Sequence, residues 1–246
     1  KYRDQHALPH GPTRFVPFGD LEALREALDG DVAAVITEPI QGIAGIVEPP
    51  DGWLRQVAEL VHENGSLLIA DEVQSGLGRT GAWLASLGMG VRADIVTVGK
   101  GLGNGFPVAA CLVSEAVAQT VKPGEHGTTF GGAPMACAAV EATLDIIVDE
   151  GLIEKARVVG ETLAGALGQL PGVVEVRGSG AWIGVVLDRP AGAVKDALLA
   201  RGFLVGTASD PHVLRLAPPA VMPPWVCCEL AETLGEVLVQ AAMVAA

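Results

Sequence analysis

Apolar positions along this chain fall into two spacings. Short unbroken apolar runs at 32–36, 67–70, 95–98 and 108–113 predict buried strands. Between them the spacing changes to that of a helix. Leu21 to Leu28 predicts one helix, ended by Gly30. Trp53 to Asn64 predicts another, with Leu54, Val57, Leu60 and Val61 on one face and Gly65 as its stop. Residues 1–20, rich in Pro, Gly and His, read as a loop with a short strand near Phe15 and Val16. Strands that alternate with helices and are apolar on both faces predict a mostly parallel sheet covered by helices, an α/β architecture. In such sheets ligands sit at the carboxyl ends of the strands.

After residue 150 the pattern differs. Leu152, Ala156, Val159, Leu163, Leu167 and Leu170 form one helical stripe. Val173 to Val176 and Trp182 to Leu187 read as strands about the turn Gly178-Ser179-Gly180. A helix over Val194 to Leu199, short strands at Phe203 to Val205 and Val213 to Leu216, and a last helix from Trp225 complete the chain. The expected division is therefore residues 1–150 as part of a large domain and residues 151–246 as a small C-terminal α+β domain.

Composition narrows the class. Aromatics are only 4% of the chain, so its core is aliphatic. A formal net charge of −13 argues against nucleic acid and anionic membrane surfaces as partners. No charge-free run reaches the length of a membrane span. No apolar stretch follows the charged start Lys1-Tyr2-Arg3-Asp4, so no signal peptide is expected. Cys111, Cys137, Cys227 and Cys228 lack C-x-x-C spacing and read as core thiols of a cytoplasmic protein, with no metal site.

The strand ends carry the chemistry. The run at 67–70 leads into Asp71-Glu72-Val73-Gln74, and the run at 95–98 into Gly99-Lys100-Gly101, with Gly103 and Gly105 following. The chain has five lysines, and Lys100 alone stands between a buried strand and a glycine-rich bend. Desolvation there disfavours the charged amine, which gives a nucleophile able to form an imine with an aldehyde. The glycines would let the backbone approach a flat ring closely. Asp71 could pair with a protonated pyridine nitrogen. A strand-end aspartate is also a common helix cap, and a lysine in such a bend is often merely solvated. On spacing alone both readings stay open. A nucleotide-hydrolase reading requires G-x-x-x-x-G-K-[ST], and the Gly-Lys pair here is followed by Gly101.

Five longer segments carry a resemblance. They are ThrGluProIleGlnGly (Thr37 to Gly42), LeuLeuIleAlaAspGluValGlnSerGlyLeuGlyArgThrGly (Leu67 to Gly81), AlaAspIleValThrValGlyLys (Ala93 to Lys100), HisGlyThrThrPheGlyGly (His126 to Gly132) and LeuArgLeuAlaProPro (Leu214 to Pro219). In order and spacing the chain resembles class III aminotransferases dependent on pyridoxal phosphate (PLP), the acetylornithine and ornithine group above all. The resemblance implies an incomplete type I PLP-transferase fold in a homodimer. It implies Lys100 as the Schiff-base and proton-shuttling residue, and Asp71 as the partner of the pyridine nitrogen. Val73 would pack on the ring, Gln74 would bind its phenolic oxygen, and Thr129 would reach the cofactor phosphate of the neighbouring subunit. Arg215 would grip the substrate carboxylate. The implied reaction is ping-pong transamination of an ω-amino or N-acylated amino acid with a 2-oxo acid such as 2-oxoglutarate.

Three departures qualify this. Ile43 stands where the family usually has a Glu that pairs with the carboxylate-gripping arginine, which would leave Arg215 permanently available. Ala133 stands where Asn is common, a change of helix capping. Family members also carry a long region before the segment matching residues 1–20, holding the phosphate-binding loop and a ring-stacking aromatic. The expectation is weak PLP binding and poor turnover by these residues alone. The alternatives are another class III activity, an aminomutase or a different ω-transaminase, and a non-catalytic fragment or partner subunit.

Overall fold

The computed structural model describes residues 13–245, with side chains to residue 240. Helix α1 (Leu21–Ala27) starts at Asp20, whose side chain accepts from the Ala23 amide. Strand β1 (Ala34–Thr37) leads to a single helical turn, α2 (Gly42–Gly45). Helix α3 (Trp53–Glu63) and strand β2 (Leu67–Asp71) follow, then α4 (Ala85–Gly88), β3 (Ile95–Val98) and a 3-10 turn at Lys100–Gly103. Strand β4 (Ala110–Val113), the short α5 (Glu115–Ala118) and α6 (Pro134–Asp149) complete the first half. The second half is α7 (Leu152–Leu167), β5 (Val173–Gly178), β6 (Ile183–Leu187), α8 (Ala191–Ala200), β7 (Gly206–Thr207), β8 (Val213–Leu216) and α9 (Pro224–Ala245).

Among the described residues two four-stranded sheets form, ordered β1-β2-β3-β4 and β5-β6-β8-β7. In the first, β1, β2 and β3 are parallel and β4 runs antiparallel to β3. The mostly parallel α/β sheet anticipated from the apolar runs is present. The second sheet is wholly antiparallel.

Each sheet has its own apolar cluster. The buried face of α3 (Trp53, Leu54, Val57, Val61) packs with Leu24 of α1 and Leu68 of β2. The C-terminal cluster is larger. There Ala156, Val159, Leu163 and Leu167 of α7 meet β6, β8, α8 and α9. Helix α7 crosses the turn after β5 very closely: a Cβ on Gly160 would lie 2.1 Å from the Gly180 carbonyl oxygen. Only a residue without a side chain permits that crossing.

Several expectations need correction. The short strand near Phe15 and Val16 is absent, and residues 13–17 have no regular structure. The strand placed at Phe203 to Val205 forms instead at Gly206–Thr207, where the backbone reaches Arg215 and Leu214 of β8. Helix α6 went unforeseen because its apolar residues are spread around it and leave no clean stripe. Its N-cap, Ala133, makes no side-chain capping bond, and Pro134 follows at the first turn. Three of the four cysteines are not core thiols: Cys111, Cys137 and Cys228 are exposed, and only Cys227 is buried. Cys111 lies on β4, an edge strand that is exposed over most of its length. Among the described residues no helix is long and apolar enough to cross a membrane, and no group of three or more His, Cys, Asp or Glu could hold a metal.

Candidate active site

The parallel ladder sets the geometry of the site. Thr37 pairs with Ala70, and Asp71 pairs with Thr97. Glu38, Asp71 and the turn beginning at Lys100 therefore emerge side by side at the carboxyl ends of β1, β2 and β3. The same register would place a ligand above these ends.

Asp71 is half-buried, and its Oδ1 accepts from the Val73 amide (3.1 Å) and the Thr97 hydroxyl (3.2 Å). Both bonds fall on one oxygen, so Oδ2 is the one placed to take a further donor. The turn that follows is pinned from beneath. Glu72 is buried and accepts from the Ser75 hydroxyl (2.5 Å), the Ala85 amide (3.0 Å) and the Ser86 amide (2.6 Å). Three donors meet the needs of a buried carboxylate. They also fix the backbone that aims Val73 and Gln74.

Lys100 has φ +44°, in the left-handed region that costs a side-chain-bearing residue about 1 kcal/mol. Among the described residues Ile46, Leu77 and Asn104 share that conformation, and of the four only Lys100 carries an amine. Its Nζ donates to Gln74 Oε1 at 2.8 Å. Burial is the main cause that holds the amine below the ordinary lysine value. Glu38 and then Asp71 oppose the shift, and Arg215 adds to it. The residue nonetheless stays solvent-exposed, so water screens these effects. The desolvation expected from the strand-end position is thus real in direction but incomplete.

Two of the glycines after Lys100 are required by the chain itself. A Cβ on Gly103 would come within 2.6 Å of Val108, and Gly105 has φ +108°. Val73 lies against Gly99, with Cγ1 3.5 Å from a Cβ built there.

Arg215 comes to the cluster from the other sheet. It is half-buried on β8, and its Nε donates to the Thr207 carbonyl at 2.6 Å. That bond anchors one edge of the guanidinium and does not use the terminal nitrogens. The Ile43 carbonyl of α2 accepts from the Ser209 amide at 2.9 Å, which ties α2 to the segment before β8. The Ile43 side chain is itself exposed.

Thr129 stands apart. It is exposed in a turn, and no described hydrogen bond joins it to the cluster. The structure thus brings together Lys100, Asp71, Val73, Gln74 and Arg215, and leaves Thr129 on the surface.

Two residues escaped the sequence reading. Glu38 follows an apolar strand just as Asp71 does, so the strand-end rule could have found it. Arg79 carried no such signal. Its Nη1 donates to the carbonyls of Ala181 (2.9 Å) and Pro218 (2.5 Å), partners more than 100 residues away. Burial lowers its pKa from the ordinary arginine value. It fastens the turn after β2 to the C-terminal half.

A cavity of about 340 Å³ lies between α7 and the segment 220–224, lined by Val158, Met222 and Cys227 among others. It belongs to the C-terminal half and contains none of the strand-end residues.

An amine, a carboxylate and an amide thus stand at the carboxyl ends of parallel strands in an α/β protein, faced by an arginine from a second sheet. Residues 9–238 match the family Aminotransferase class-III, and the chain belongs to that family. It is 42% identical over 235 residues to an acetylornithine aminotransferase of Methanothermobacter thermautotrophicus, covering 94% of this chain and 60% of that protein. It is 45% identical over 231 residues to an ornithine aminotransferase of Bordetella pertussis, covering 89% and 56%. The fold is similar to the ornithine aminotransferase of Toxoplasma gondii, with TM-score 0.88 and 34% identity over 96% of this chain and 58% of that one. It is also similar to the acetylornithine aminotransferase of Elizabethkingia anophelis, with TM-score 0.84 and 34% identity over 92% and 62%. The chain thus spans about three-fifths of the length of these relatives.

Proposed function

We propose that this chain carries the lysine centre of a PLP-dependent aminotransferase acting on an ω-amino or N-acylated amino acid, of the ornithine or acetylornithine kind, with a 2-oxo acid such as 2-oxoglutarate. The observation that carries the reading is the placement of Lys100 Nζ 2.8 Å from Gln74, beside the strand end that holds Asp71. The residues suit the cofactor. Lys100 offers an amine for its aldehyde, Asp71 Oδ2 an acceptor for a ring N–H, Gln74 an amide for the phenolic oxygen, and Val73 an apolar wall. When bound, PLP supplies an electron-withdrawing ring that acidifies the substrate carbon.

The remaining work falls to the chain. Asp71 keeps the ring nitrogen protonated. Gln74, already in contact with Lys100, holds the amine near the reacting carbon. Lys100 would hold and move the proton at Nζ. Arg215 orients a substrate carboxylate through its terminal nitrogens. The names of the two relatives described above support the substrate class.

We further assign residues 1–150 to the large cofactor domain and residues 151–246 to the small one. The separate sheets and the C-terminal apolar cluster support this division. The assembly we infer is a cytoplasmic homodimer. In it Thr129, exposed within one chain, reaches the cofactor phosphate of the neighbouring subunit.

The test is reduction with borohydride in the presence of excess PLP, followed by peptide mass mapping. A single phosphopyridoxyl group on the peptide containing Lys100, lost in Lys100→Ala, is expected. Label spread evenly over the lysines, or unaffected by Lys100→Ala, would overturn the assignment.

A further inference from the structure

Glu38 stands in the strand-end cluster without a role in the function proposed above, yet its position is unlike that of an ordinary surface carboxylate. Thr37 pairs with Ala70, so the next residues, Glu38 and Asp71, stand beside each other at the ends of parallel strands. In a parallel ladder, neighbours in register project to the same face. Glu38 is half-buried there, and its Oε2 accepts from the Gly42 amide at 3.0 Å. Gly42 in turn is pressed against the site. A Cβ at that position would lie 2.9 Å from Gln74 Oε1 and 2.8 Å from the Trp182 ring. The Gln74 oxygen is the one that Lys100 holds.

Glu38 therefore reaches Lys100 by two routes, one mechanical and one electrostatic. The mechanical route runs through Gly42 and Gln74. The electrostatic route is direct. Of the three charged groups that act on the Lys100 amine, Glu38 exerts the largest influence, ahead of Asp71 and Arg215. Burial, with Asp71 adding to it, raises Glu38 above the ordinary glutamate value, while the Gly42 amide and Lys100 pull it down.

We propose that Glu38 is a positioning residue of the lysine centre, whose carboxylate holds the Gly42 turn against Gln74 and sets a negative charge beside the Lys100 amine. Asp71 lies next to it but is committed elsewhere, with Oδ1 bonded to Val73 and Thr97 and Oδ2 available to a ring nitrogen. The division of labour is one carboxylate for the cofactor ring and one for the lysine. This inference rests on Lys100 being the cofactor lysine, but its test does not require cofactor.

The competing role for Glu38 is purely structural, an acceptor that caps the Gly42 amide. Glu38→Gln separates the two, because glutamine keeps an acceptor of the same reach and removes the charge. The cofactor-free chain is pulse-labelled with acetic anhydride across the alkaline range, and acetylation is quantified at Lys100, Lys155 and Lys195 by mass spectrometry. In Glu38→Gln the Lys100 rate at mildly alkaline pH should rise about threefold, as loss of one nearby negative charge at a partly exposed site implies. Lys155 and Lys195 should not change. Glu38→Asp keeps the charge and gives up reach to Gly42, so it should label like the wild type.

An unchanged Lys100 profile in Glu38→Gln would overturn the proposal and leave Glu38 as a cap. So would a Glu38→Asp profile that follows Glu38→Gln. Capture of PLP by Lys100 is read separately by borohydride reduction, so failure of the cofactor reading would leave the labelling result standing.

Discussion

Ile43 is an aliphatic side chain placed in the turn that packs beside the arginine strand. Its backbone carbonyl holds Ser209, but its side chain offers no acceptor, so nothing at this position can neutralise the Arg215 guanidinium. On the role proposed for Arg215, an arginine with one edge tied to Thr207 and no carboxylate from α2 should favour substrates with a carboxylate at that end. In the holoenzyme, Arg215→Ala should raise the KM for 2-oxoglutarate at least tenfold, about 1.4 kcal/mol of lost binding. Ile43→Glu should raise it by less, because the new carboxylate competes without removing the arginine. Steady-state assays would show this. A carboxylate-free amine turned over comparably by wild type and Arg215→Ala would refute the role, and so would unchanged oxo-acid kinetics in Arg215→Ala. The strand-end placement of these residues was legible in sequence because apolar runs and short motifs expose it. What the sequence hid was contact. Nothing in the spacing of Gln74 and Lys100 says that one holds the other. Nothing near Arg79 announces carbonyl partners in the other half of the chain.

At the scale of elements, Asp94 is the junction on which the parallel strands depend. It precedes β3, and its Oδ2 accepts from the Leu68 amide of β2 and meets His62 Nε2 of α3, both at 2.8 Å. Its backbone carbonyl accepts from Ser114, just past β4. One residue thus links α3 and three strands. Burial pushes its carboxyl upward, but the Leu68 amide and the charge and hydrogen bond of His62 outweigh it, and the pKa falls below the ordinary aspartate value. A carboxyl whose folded pKa is depressed contributes stability that is present above its unfolded value near 3.8. That stability is lost as pH falls through the lower, folded value. Asp94→Ala should therefore destabilise the chain by about 1–3 kcal/mol at neutral pH, with the deficit shrinking as the pH drops below about 4. Urea unfolding at neutral and acid pH measures it, and an equal deficit at both would exclude the ionic contribution. Elements of this kind were well anticipated where a period was clean, as in α3, α7 and β3. They were missed where period fails. Helix α6 is apolar on too many sides, and β7 is two residues held only by its pairing with β8.

At the scale of the whole molecule, the first sheet is less covered than an α/β sheet ordinarily is. Ile36 of β1 is 64% exposed, and Leu112 and Val113 of β4 are 49% and 44% exposed. Both strands are edges, so backbone groups and apolar side chains are open together. Lys100 is exposed in the same half. The relatives are longer by about two-fifths of their own length, and the sheet residues left bare here are of the kind that further polypeptide covers. A cofactor held by these residues alone would gain one covalent amine, one carboxylate and one amide, in a place that water still reaches. Charged contacts in such a place are screened and weak. The chain by itself should therefore bind PLP with a dissociation constant of about 10 µM or weaker. Adding a polypeptide that matches the remainder of a relative should tighten binding at least tenfold and bury Ile36 and Leu112. Spectral titration gives the affinity, and hydrogen exchange across β1 and β4 gives the coverage. Nanomolar binding by the chain alone would mean that the strand ends suffice. Tighter binding without protection of β1 and β4 would mean that the added polypeptide acts elsewhere.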